Sequence, residues 1–173
     1  VSESHNKANI NRTHDQSFEE LRRIRESFPE LHLCIGMATT FGCPFEGIPD
    51  LDKVLRFVER IRSCDVDTVY LADTIGIADP AQVRRTVKGI MERFPDTKMQ
   101  VHIHDTRGMG LVNTLAAIEA GVDTVQSTLG GLGGCPFAPG ASGNTATEDL
   151  VYMLQRMGCD TGIDFDRLLA LSK

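Results

Sequence analysis

Two histidines two residues apart, His102 and His104, are the side chains in this sequence best suited to shared chemistry. From Lys98 to His104 the chain alternates, with Met99, Val101 and Ile103 set against Gln100, His102 and His104. That two-residue period predicts a strand with both imidazoles on one face. Gly108 then closes the strand with a turn before a helix. Neutral imidazole is a good ligand for divalent first-row metals, so a pair at a strand end can reach one cation. The same spacing also suits two polar side chains on a wet strand face, and spacing alone leaves both readings open. Further along, Cys135 sits in a glycine-rich loop, 129–143, fixed by Pro136 and leading directly to Asn144. Asn144 reads as a helix N-cap, and Cys135 as a small filler of loop packing. An amide oxygen beside two imidazoles would instead make a mixed nitrogen and oxygen site, with room for a carboxylate and substrate, suited to Mg2+ or Mn2+.

The elements that must hold these residues follow a regular order. Val1 to Asn6 reads as the end of a strand followed by a loop through Asn9 and Asn11. Ser17, with Glu20 three residues on, reads as a capping box for a helix whose apolar stripe is Leu21, Ile24 and Phe28. Pro29 stops it. Strands are expected over 31–38, 66–72, 98–104 and 122–128. Asp50 is the expected N-cap of the helix carrying Val54, Leu55, Val58 and Ile61. Asp79-Pro80 opens the next helix as N-cap and first-turn proline, and Gly121 caps the C-terminus of the third. Helices from about Thr145 to Met157 and from Asp164 complete the chain.

Four β-then-α units with long crossovers imply a parallel sheet covered by helices. Each strand ends in polar residues: Thr39 and Thr40, Asp73, His102 and His104, Ser127 and Thr128. Active sites of parallel α/β folds lie at that end. No Gly-x-Gly-x-x-Gly follows a first strand, which argues against a dinucleotide-binding sheet. The expected fold is therefore α/β, the second half of a (β/α)8 TIM barrel with C-terminal helices, 1–173 forming one partial barrel domain. Residue 1 is Val, and the sequence reads as beginning in mid-fold.

The net charge of −6, from 18 basic and 24 acidic residues, argues against a nucleic-acid partner. No apolar run reaches membrane-span length, so no membrane partner is expected. Five cysteines without a Cys-x-x-Cys pair suggest reduced thiols, and a cytoplasmic location, with the mitochondrial matrix left open.

The runs DTIG at 73–76, HIHDTRGMGLVN at 102–113 and GLGGCPFAPGASGNTATEDLVYML at 131–154 resemble the 3-hydroxy-3-methylglutaryl-CoA lyase family, in the pyruvate-carboxyltransferase-like group of metal-dependent TIM barrels. GCPFEG at 42–47 and the SES…NIN opening fit as well, so the resemblance spans essentially the whole chain. It implies that His102, His104 and Asn144 bind a divalent cation, Mg2+ or Mn2+. It implies that Cys135 is a loop thiol acting as acid and base, and that Asp73 sits close to substrate and metal. Thr39, Arg107 and Ser127 are the expected substrate contacts. An acyl-CoA substrate, cleaved by a retro-Claisen reaction, and a homodimer for the full-length protein complete what the resemblance implies. Five glycines among residues 130–134 and 140 suggest that the Cys135 loop moves to close over substrate.

One departure matters. The family's first strand carries an Arg-Asp pair, the aspartate a metal ligand, and nothing here corresponds to it. The chain alone is therefore expected to be inactive. Two alternatives remain: a Claisen-type synthase of the same superfamily, against which the Cys-Pro loop and the His-x-His-Asp-Thr order count, and a non-catalytic half-barrel assembly module. In a half-barrel, Leu33 to Met37, Val69, Leu71, Met99, Val101 and Val125 are expected to point inward and to lose the strands opposite.

Overall fold

The computed structural model describes residues 1–137 and 143–172. Its elements are α1 (Glu3–Ile10), α2 (His14–Ser27), β1 (Cys34–Met37), α3 (Leu51–Arg62), β2 (Thr68–Asp73), α4 (Pro80–Arg93), β3 (Met99–Ile103), α5 (Gly110–Ala120), β4 (Thr124–Gln126), a 3-10 turn (Leu129–Gly131), α6 (Thr147–Arg156) and α7 (Phe165–Leu171). The strands form one parallel sheet in the order β1-β2-β3-β4. Every neighbouring pair is joined by a helical crossover, as parallel pairing requires.

Most helix starts follow the local chemistry. Asp50, Asp79 and Asp164 each accept from the backbone N–H three residues on, and Gly121 (φ 115°) ends α5 in the left-handed region. Three expectations are corrected. Residues 3–10 are a helix, not a strand end, because Ser2 Oγ caps it through His5 N–H (3.1 Å). The capping box of α2 is Thr13 with Gln16, four residues before the expected Ser17 and Glu20. Ser17 instead donates back to Thr13 O (3.1 Å) from inside the first turn. Asn144 caps nothing: α6 begins at Thr147 behind Ala146, which makes no side-chain cap.

The direction of the sheet's apolar residues is also corrected. Met37, Val69, Leu71, Met99, Val101 and Ile103 are buried in one core with Val54, Val58 and Ile61 of α3 and Val83, Val87 and Ile90 of α4. They face the chain's own helices. Lateral register puts Gly36, Tyr70 and Gln100 in one row of the other face, and Ala72, His102 and Gln126 in the next. That face is polar because alternate residues of a strand point to opposite sides. Pairing the apolar set with the helices leaves the imidazoles on the open side.

Candidate functional site

His102 and His104 lie on the open face at the C-terminal end of β3. Their Nε2 atoms are 3.2 Å apart and their ring centroids 5.1 Å apart. Each ring is held from behind by its other nitrogen. His104 Nδ1 is 2.8 Å from the carbonyl oxygen of Thr74, which can only accept, so that nitrogen carries the proton. His102 Nδ1 is 3.1 Å from Gln126 Oε1. With both Nδ1 atoms donating, both Nε2 atoms present lone pairs toward the same space. Burial depresses the His102 pKa below its ordinary value, the neighbouring His104 adds to the depression, and the Gln126 hydrogen bond opposes both. The neutral imidazole is thereby favoured.

Backbone pairing sets Asn144 opposite His104. The segment after the glycine loop runs antiparallel to the end of β3, with Asp105 N–H donating to Gly143 O (2.9 Å) and Thr145 N–H to Ile103 O (3.2 Å). Asn144 is thus bridged to His104 across the pair. Directly opposed antiparallel residues have Cβ atoms about 4.5–5.5 Å apart on one face. On its other side the segment is stitched to the end of β4 by Thr128 N–H to Thr145 O (3.1 Å) and Thr147 N–H to Thr128 O (2.8 Å). Asn144 Nδ2 donates to Leu132 O (2.9 Å), while Oδ1 is buried with no partner. Three acceptor atoms, two imidazole nitrogens and one amide oxygen, are therefore left without donors on adjoining residues and could hold a cation.

Two glycines make this approach possible. At Gly143 (φ 109°) a Cβ would lie 2.2 Å from Gly131 O, and at Gly133 (φ 115°) it would lie 2.6 Å from Asn144 Nδ2. Any side chain at either position collides with the strand-like segment or with the amide itself.

The remaining predicted residues lie at or beyond the C-terminal ends of the strands, and the register sets Asp73 beside Ile103, in the row that faces the helices. Asp73, fully buried, accepts at Oδ1 from Ile77 N–H (3.1 Å) and at Oδ2 from Ala78 N–H (3.0 Å). Burial raises its pKa above the ordinary carboxylate value, against those hydrogen bonds and the attraction of His104. Arg107 Nη1 donates to Gly76 O (3.0 Å), tying the loops after β2 and β3 together. Thr39 adopts φ 60°, uncommon for a β-branched residue. Three bonds hold it there: Oγ1 to Ala38 O (2.6 Å), Ser2 N–H to Oγ1 (3.1 Å), and its own N–H to Thr74 Oγ1 (2.7 Å). Ser127 Oγ pairs with Thr147 Oγ1 at 2.9 Å. Cys135 is half-buried in the glycine loop. Phe137, two residues on, packs against His5 of α1 (4.5 Å between ring centroids) and Phe45 of the 42–47 loop (5.9 Å). Gly140, used in the expectation of loop closure, lies outside the described residues.

Sequence reasoning missed Gln126 and Thr74, the acceptors behind the two imidazoles. Gln126 lies beside His102 in the strand register, a relation invisible without knowing how β3 and β4 pair. Thr74 contributes only its backbone carbonyl, so its side-chain type carries no signal.

A parallel β/α sheet whose strands bring ligand-type side chains to their C-terminal ends defines the class: a barrel-type α/β enzyme fold. The chain belongs to the HMGL-like family, whose model matches residues 1–173. It is 39% identical over 175 residues to the hydroxymethylglutaryl-CoA lyase YngG of Bacillus subtilis, covering all of this chain and 58% of that protein. It is equally 39% identical over 174 residues to (R)-citramalyl-CoA lyase of Chloroflexus aurantiacus, covering 99% of this chain and 55% of that one. An HMG-CoA lyase from Acinetobacter baumannii, solved with coenzyme A and 3-methylmalate, superimposes with a TM-score of 0.92 at 46% identity, over 99% of this chain and 56% of that one. The chain thus spans about half the length of the relatives it matches, and its four-stranded sheet is a half-barrel.

Proposed function

We propose that this chain supplies the metal-binding and thiol side of a carbon–carbon lyase that cleaves a 3-hydroxy-3-methylglutaryl-CoA-type thioester to acetyl-CoA and acetoacetate. The observation that carries the proposal is the trio of donorless acceptors, His102 Nε2, His104 Nε2 and the buried Asn144 Oδ1. Two facing lone pairs 3.2 Å apart repel unless a positive charge lies between them. Neighbouring corners of an octahedral shell with bonds of about 2.1 Å lie about 3 Å apart, so the separation fits Mg2+ or Mn2+. Once bound, such an ion supplies positive charge that polarises a hydroxyl or carbonyl oxygen of the substrate. The chain's own residues do the rest. The neutral imidazoles keep both Nδ1 protons turned away, so neither competes for the site. In the cleavage the Cys135 side chain, as thiolate, accepts the proton of the tertiary hydroxyl, and the C–O bond there becomes the ketone of acetoacetate. The C2–C3 bond breaks, its electron pair forming the acetyl-CoA enolate. The Cys135 thiol returns a proton to the enolate carbon, so that no redox partner is required. A thiol suits this role because it can both accept and donate a proton.

The equal identity to the citramalyl-CoA lyase favours one second reading, in which the acyl group is citramalyl. Product release by the full-length protein, supplied with Mg2+ or Mn2+ and given each thioester in turn, separates the two. Acetyl-CoA and acetoacetate formed fastest from the hydroxymethylglutaryl thioester is the expected result, with turnover reduced at least about a hundredfold in Cys135→Ala, in line with the usual worth of a general acid. Faster release of pyruvate from the citramalyl thioester would overturn the substrate and keep the chemistry. Cleavage of neither would overturn the chemistry.

A further inference from the structure

The open face of the sheet carries a chain of side-chain amides that ends on one imidazole. Gln126 Nε2 donates to Gln100 Oε1 (2.9 Å), and Gln126 Oε1 faces His102 Nδ1 (3.1 Å). The register aligns these residues: Gln100 pairs laterally with Thr124, and His102 with Gln126. All three side chains are half-buried. An amide has one accepting and one donating end. With its NH2 given to Gln100, Gln126 has only its oxygen to offer His102, and an oxygen there accepts from Nδ1–H. The relay therefore selects one of the two neutral imidazole tautomers. It leaves His102 Nε2 bare and aimed at His104 Nε2. His104 has its own fixed acceptor in Thr74 O (2.8 Å), a backbone atom that no substitution removes. His102 depends on a side chain instead.

We propose that Gln126, locked by Gln100, is a positioning residue that sets the tautomer and ring orientation of His102 for cation binding. The inference rests on the metal-site reading above and adds the residue that makes one of its ligands competent. Removing such an acceptor typically weakens metal affinity 10- to 100-fold. Gln126→Leu should therefore bind Mn2+ about 10- to 100-fold more weakly than the unsubstituted protein in a calorimetric titration of the full chain. Gln126→Glu keeps an acceptor at the same reach and should bind at least as tightly as Gln126. Gln100→Leu leaves Gln126 free to turn and should lose affinity by a smaller factor. Nitrogen-15 spectra of histidine-labelled, metal-free protein supply the independent readout. His102 should be protonated at Nδ1 with Gln126 present, and should become a mixture of tautomers in Gln126→Leu. Unchanged Mn2+ affinity in Gln126→Leu, or an Nε2-protonated His102 in the unsubstituted protein, would overturn the proposal. If the unsubstituted protein binds no Mn2+, the metal reading fails, and the nitrogen spectra still decide whether the relay sets the tautomer.

Discussion

Asn144 shows how a residue acquires a role through its backbone. Its side chain resembles a helix cap, yet the antiparallel bridge sets Asn144 directly opposite His104. Gly143 is what permits that bridge, since a Cβ there would sit 2.2 Å from a backbone oxygen that cannot move aside. Gly143→Ala should therefore shift Asn144 and weaken Mn2+ binding by at least about tenfold, equivalent to about 1.4 kcal/mol. A calorimetric titration beside the far-ultraviolet dichroism of the variant checks this, and unchanged affinity would mean that the loop finds another path. At this scale the histidine pair was legible because strand parity is a property of neighbours in sequence. Gln126 was not, because its partnership with His102 depends on the register between two strands 24 residues apart.

The helices with apolar stripes were legible as elements, and α1 was not. Glu3 to Ile10 has no apolar face in its sequence, and it is held by its Ser2 cap and by His5 packed on Phe137. Tertiary contacts override the local pattern there. Between elements, Asp67 ties the residue before β1 to α2: Leu33 N–H (2.7 Å) and Arg25 Nη2 (2.6 Å) both donate to Oδ2. The Leu33 N–H, followed by the Arg25 guanidinium, depresses the Asp67 pKa below its ordinary value of 3.8. A depressed carboxylate stabilises the fold above its unfolded pKa and loses that contribution as pH falls through the folded one. The stability difference between the unsubstituted chain and Asp67→Asn should accordingly be present at pH 5–7 and vanish at the acid end of a urea-denaturation series. A difference that persists unchanged into acid would assign the effect to shape instead of charge. In the core, Leu71 is fully buried between the helices and the sheet. Leu71→Ala should cost about 2–5 kcal/mol in the same assay.

For the molecule as a whole, the expected parallel α/β architecture is present, but which face of the sheet is apolar was misjudged. Periodicity tells that alternate residues separate, not which set meets the helices. Because the apolar set packs on this chain's own helices, the open side exposes Gln100, His102 and Gln126 rather than a hydrocarbon surface. What stays unsatisfied is backbone. Among the described residues β1 and β4 are the outer strands of the sheet, and unpaired strand edges invite pairing with another chain. The 173-residue polypeptide should therefore sediment as a dimer or larger species at micromolar concentration; a monomer that unfolds cooperatively would contradict this. The central claim, that His102, His104 and Asn144 share one cation, is tested most directly by electron spin-echo spectroscopy of the protein titrated with Mn2+. One ion per chain, coupled to two imidazole nitrogens and losing one coupling in either His102→Ala or His104→Ala, is the predicted result. Mn2+ that shows no imidazole coupling, or couplings unchanged in those variants, would contradict it.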